Sequence, residues 1–122
     1  MIPRRWRPPL IWAALLLLAT SWPNPSLPVA PDGTDKGVHG VLYLVLGVLV
    51  ARAAELQRAD WARALAYVAG LVVFGLLDEL HQAWIPGRSA DVADWIADGV
   101  GAALGVASYL IAAAPRRRGL VS

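Results

Sequence analysis

The sequence predicts an all-α membrane protein, a four-helix transmembrane bundle with both termini cytoplasmic and a polar cluster in its outward-facing half. Three observations carry this. Of 122 residues 57% are hydrophobic, and they come in blocks instead of alternating with polar residues. Proline-rich or polar stretches separate the blocks. Arginines crowd alternate connections. At this length residues 1–122 form a single domain.

Arg4, Arg5 and Arg7 lead into Pro8-Pro9, which suit a helix start because the missing N–H donors have no partner there anyway. The apolar block that follows is short for a bilayer, which needs about 20 residues. With Trp6 anchoring at the interface, a helix is expected over residues 6–22. A basic leader before a short apolar core also resembles a signal peptide. Thr20, Ser21 and Trp22 stand where small residues would favour cleavage, so a retained helix is expected. Residues 23–34 hold four prolines, one glycine and one asparagine and read as a loop. Further helices are expected over residues 36–54, 63–84 and 91–114. A polar connection lies between the second and third, and a tight turn at 85–89 precedes the fourth. Short connections make sequential helices neighbours.

Arginine and lysine near the helix ends set the orientation. Nine of them lie at the two termini and the second connection, against Lys36 and Arg88 in the first and third. Both termini then face the cytoplasm. Five tryptophans, Trp6, Trp22, Trp61, Trp84 and Trp95, fall near the expected interfaces as an aromatic belt. A net charge of +2 does not point to nucleic acid. With no cysteine there is neither disulfide nor thiolate metal site. No serine or cysteine nucleophile motif and no phosphate-cradling glycine loop is present.

At about 100° per residue, Lys36, His39, Tyr43 and Gly47 share one stripe of the second helix. Asp78, Glu79 and Gln82 share a face of the third with Gly75, and His81 falls to one side. Asp91, Asp94, Asp98, Gly101, Gly105 and Ser108 share a face of the fourth. Small residues let membrane helices approach closely, so the polar stripes can meet beside that contact. Asp78, Glu79, Asp94 and Asp98 facing lipid would cost on the order of 10 kcal/mol, which rivals the roughly 5–15 kcal/mol stability of a domain. They are expected to face inward, toward a hydrated outward-opening cleft. Lys36, Arg88 and two histidines are all that can balance seven outer acids, so either some carboxylates are protonated or a bound cation completes the balance.

Asp35-Lys36-x-x-His39-x-x-x-Tyr43-x-x-x-Gly47, then Glu79-x-x-Gln82-x-x-x-Pro86-Gly87-Arg88, then Asp94 with Gly101 and Gly105 together resemble the VanZ-like family. The resemblance implies a small bacterial four-helix membrane protein of a family named for a member linked to resistance to the glycopeptide teicoplanin. It implies no particular reaction. That family usually has asparagine where this chain has Asp98, which adds a charge to the cluster. Asp78 and His81 lie outside its pattern.

The candidate catalytic groups are Glu79, His39 and Asp94. Glu79 is the best general-base candidate because burial among acids suits it to proton transfer, and interhelical pairing with Lys36 or Arg88 is the structural alternative. Candidate ligand-binding residues are Lys36, Arg88, Gln82, Asp35, Tyr43 and Asp98. The Arg88 guanidinium suits a forked grip on phosphate or carboxylate, or else fastens the outer turn to Asp91 or Asp94. His39, Glu79 and an aspartate would suit an oxygen-preferring ion, but without the fixed spacing of an H-E-x-x-H helix no metal and no cofactor is assigned. The expected function is binding of a polar or lipid-linked envelope ligand. The alternatives are an acid/base enzyme on a lipid-linked phosphate or glycan, and a structural or assembly role. Expected partners are membrane lipids and a lipid-linked envelope precursor, with no nucleic acid. Homo-oligomerisation is compatible with so small a bundle. The expected location is the bacterial cytoplasmic membrane.

Overall fold

The computed structural model describes residues 1–20, 34–85 and 91–113, and for residues 34–36 the backbone alone. A 3₁₀ turn, Arg4–Trp6, runs into α1 (Arg7–Thr20); α2 (Thr34–Ala53), α3 (Trp61–Gln82) and α4 (Val92–Ala112) follow. The all-α expectation holds with four helices and, among the described residues, no strand.

Local chemistry explains the helix ends. Pro8 and Pro9 occupy the first turn of α1, where no N–H partner is lost. Past the end of α2, Glu55 adopts a left-handed φ of 54° while the Leu56 N–H reaches back to the Ala51 carbonyl at 3.1 Å. That six-to-one closure stops the helix and tucks Leu56 into the core. Asp91 caps α4 by accepting from the Ala93 N–H at 2.8 Å. At the far end of α4, Arg58 from the connection between α2 and α3 donates to the carbonyls of Leu110 and Ile111, at 3.2 and 2.7 Å. A cation there satisfies orphan carbonyls and complements the negative helix end.

The α2–α4 pair is the most extensive helix contact. Gly101 lies against the Gly40 carbonyl and Gly105 against that of Leu44, so closely that a Cβ at either position would overlap backbone. Gly47 makes the reciprocal approach to Ala102. No side chain separates these two backbones, and α3 and α1 pack around them. Trp12 Nε1 donates to the Leu42 carbonyl at 2.9 Å, and Trp95 Nε1 to that of Val72 at 3.0 Å. Trp95 is half-buried against α3. Trp61 and Trp84 are exposed, and Trp22 lies outside the described residues.

Polarity is distributed inside out. Leu16, Leu46, Leu56 and Val106 contribute to an apolar core, Tyr43 borders it, and six ionisable or amide side chains are buried beyond Tyr43. Large apolar side chains cover the exterior, with Ile96, Val100, Leu104 and Ile111 exposed along one face of α4 and Val73, Leu77 and Leu80 exposed on α3. Such continuous apolar exteriors suit lipid. Both α3 and α4 are long and apolar enough to cross a membrane. The apolar part of α2 runs over Gly37–Ala53, and α1 spans 14 residues, about 21 Å of rise against a hydrocarbon core of about 30 Å.

The glycine contacts predict opposite effects of one substitution at different places. Gly105→Ala and Gly101→Ala each force α2 and α4 apart and are expected to cost about 1–3 kcal/mol in unfolding experiments in detergent. Gly70→Ala, with nothing within 4 Å of the new methyl, is expected to be neutral or to stabilise by up to about 1 kcal/mol.

Candidate functional site

The first half of α2, the last turns of α3 and the first turns of α4 meet at one end of the molecule. Helical spacing puts His39 and Tyr43 on the inner face of α2, Gly75, Asp78, Glu79 and Gln82 on that of α3, and Asp94 and Asp98 on that of α4. All six polar or ionisable side chains among them other than Tyr43 are at most 8% exposed, and Tyr43 and Asp98 are 0% exposed.

The groups form two layers. In the first, His39 Nδ1 stands 2.9 Å from Asp98 Oδ1 and 4.0 Å from Glu79 Oε1. Glu79 Oε2 accepts the Asp91 N–H at 3.1 Å, and Gln82 Nε2 donates to Glu79 Oε1 at 3.5 Å. Asp94 sits in the first turn of α4, where unsatisfied N–H groups favour negative charge. One donor atom each from His39, Glu79 and Asp94 lie within 4.8 Å of one another. In the second layer Asp78 accepts from Thr20 Oγ1 at 2.7 Å and from the Tyr43 hydroxyl at 3.2 Å. The Tyr43 ring packs against Phe74, with centroids 6.1 Å apart. Asp98 presses against the bare backbone of Gly75, and its Oδ2 has no hydrogen-bond partner among the described residues.

Of the residues expected to act together, His39, Glu79, Asp94, Asp98, Gln82 and Tyr43 do converge. Tyr43 lies in the deeper layer, held by Asp78. Arg88 and the side chains of Asp35 and Lys36 lie outside the described residues. His81 is exposed to one side. The converging groups are buried, and the glycine contacts hold α2 and α4 together next to them. Thr20 and Asp78 form a buried pair to which sequence reasoning attached no role. Thr20 carried no signal beyond ending the first apolar block, and Asp78 falls outside the motif pattern.

Chemically, the site concentrates three carboxylates, Glu79, Asp94 and Asp98, around one imidazole in a water-poor interior, with Asp78 in the layer beside them. Among the described residues, His39 is the one basic group within ion-pair distance of Glu79 and Asp98. Such a site can bind cationic or hydrogen-donating groups, and its histidine, held by a carboxylate, is placed to exchange protons.

The VanZ/LLP1 family model matches residues 9–113. No curated protein and no solved structure matches the chain.

The deeper layer can be tested apart from any ligand. Tyr43→Phe and Thr20→Val each remove one of the two donors to buried Asp78 among the described residues and are expected to cost about 1–3 kcal/mol in detergent unfolding. Because both donors serve one carboxylate, the double variant is expected to depart from the sum of the singles by more than about 0.5 kcal/mol.

Proposed function

The chain belongs to the VanZ/LLP1 family, and from that premise we propose that it is a multi-pass protein of the bacterial cytoplasmic membrane whose polar cluster binds the head group of a lipid-linked envelope ligand. The observation that carries this is the inversion of polarity, with acids and a histidine from three helices buried inside an apolar exterior. Ionisable groups in membrane helices cost roughly 2.5–3.5 kcal/mol each on insertion scales, a cost that functional sites sustain. The chain supplies complementary cations at the same end. Lys36 opens α2 three residues before His39, and Arg88 lies between the end of α3 and the start of α4. In this reading both face outward and grip a phosphate or carboxylate, the guanidinium by two parallel hydrogen bonds. Glycopeptide resistance would follow from altered envelope composition or access.

A second reading is favoured by the 2.9 Å contact between His39 and Asp98. A carboxylate that orients an imidazole beside a second carboxylate is the arrangement of general acid–base catalysis. The chain would then act on a lipid-linked phosphate or glycan, with Glu79 or Asp94 as acid or base.

Native mass spectrometry of the purified protein with an envelope-lipid extract tests the first reading. A discrete lipid adduct on the wild type that a folded Arg88→Ala variant loses is expected; no specific adduct on the wild type sinks the reading. Glu79→Gln separates the two. A binder keeps most of its ligand in that variant, whereas an enzyme keeps its ligand and loses turnover.

A further inference from the structure

We propose that His39, Glu79 and Asp94 form the binding site of one divalent first-row transition cation, with Asp98 as the carboxylate that orients His39. This departs from the sequence reading, which assigned no metal, and it does not rest on the head-group proposal.

The geometry comes first. The three donor atoms lie within 4.8 Å of one another, each from a different helix, α2, α3 and α4. Donors in a tetrahedral shell at about 2.0–2.2 Å from one ion stand about 3.3–3.6 Å apart. Side-chain movement of about 1 Å therefore closes the shell. An acidic cluster on a surface is common without any ion, but these three side chains are buried, at 6%, 3% and 8% exposure.

The surroundings match what a metal site needs beyond its ligands. A metal-bound histidine donates its second ring N–H to a carboxylate, which fixes the tautomer and aims the lone pair. His39 Nδ1 has that partner in Asp98 Oδ1 at 2.9 Å. In the tautomer that donates Nδ1–H, Nε2 keeps its lone pair for the ion; Nδ1 is the nitrogen that stands 4.0 Å from Glu79 Oε1, so loading the ion turns the ring to bring Nε2 toward Glu79 and Asp94. Asp98 is 0% exposed, and its second oxygen has no hydrogen-bond partner among the described residues, so a net attraction from a nearby cation is the compensation its burial lacks. Glu79 is steadied in turn by the Asp91 N–H and by Gln82.

Donor chemistry and charge select the ion. Two carboxylates and one imidazole supply a charge of about −2, which a divalent ion cancels, and three protein ligands leave positions for water or a ligand. The mixed nitrogen and oxygen set suits Mn²⁺, Fe²⁺ or Zn²⁺ better than Mg²⁺, which prefers oxygen alone, or Cu⁺, which prefers sulfur. No bond is made or broken in the proposal beyond coordination.

The test uses the full chain in detergent, stripped with chelator and titrated with Mn²⁺ and, separately, Zn²⁺, with no lipid added. Binding near one ion per chain is expected. His39→Gln and Asp94→Asn are expected to weaken it by about 100-fold or more, and Asp98→Asn by about 10–100-fold. His81→Gln, at an exposed histidine outside the cluster, should leave it unchanged. Electron spin-echo spectroscopy of the Mn²⁺-loaded wild type needs no variant to fold and is expected to show nitrogen coupling from a single imidazole. No uptake by the wild type overturns the proposal, leaving His39 as an internal ion-pair partner of Asp98. Uptake indifferent to His39→Gln, uptake lost in His81→Gln, or a Mn²⁺ signal without nitrogen coupling overturns it equally. Failure of the lipid experiment would leave these outcomes untouched, because the ion is counted without lipid.

Discussion

Backbone carbonyls of Gly40 and Leu44 occupy the space where side chains of residues 101 and 105 would begin, and the separation of α2 and α4 follows from that contact. It sets the depth at which Tyr43 meets Asp78 and the distance at which His39 meets Asp98. A wider pair would leave the acids reachable by lipid or water. A closer one is impossible, since the backbones already touch. In a membrane, where lipid is as apolar as leucine, helices associate through close packing and hydrogen bonds instead of hydrophobic exclusion. The glycine contact and the polar cluster therefore depend on one another: the first brings the helices together, and the second makes that arrangement the one in which the ionisable groups have partners.

Much of this was readable from helical spacing. Asp94, Asp98, Gly101 and Gly105 recur at three or four residues, and nothing but a shared inner face accounts for acids and glycines recurring together. The same reasoning places Asp78, Glu79 and Gln82 inward and His81 aside. What it could not supply was depth along the bundle. Periodicity says which face a residue takes but not which residue of another helix it meets, so it gives no sign that the Tyr43 hydroxyl meets Asp78. Thr20 was invisible for the same reason, because one hydroxyl at the end of an apolar block gains meaning only from a carboxylate 58 residues away. Trp95 reads as interfacial by position and type, and its bond to the Val72 carbonyl is a contact that periodicity does not give.

Arginines also carry more than topology. The count of basic residues assigns Arg58 to a cytoplasmic connection, and that charge bias is one account of its presence. The structure gives it a second task, holding the last carbonyls of α4. One end of α4 is thus held by an arginine from another connection, and the other begins at Asp91 and Asp94, beside the site. Forces at the cluster are met by a helix fixed at both ends.

The distance in sequence between His39 and Asp98 bears on how the protein is made. Fifty-nine residues separate them, so at ribosomal rates of about 5–20 residues per second His39 exists for about 3–12 seconds before its partner does. The chain places its most easily neutralised polar group on the helix that must wait. The carboxylates of α3 and α4 emerge last and close together, when α2 is already present to receive them. Order of synthesis thus leaves the costliest charges unpartnered for the shortest time.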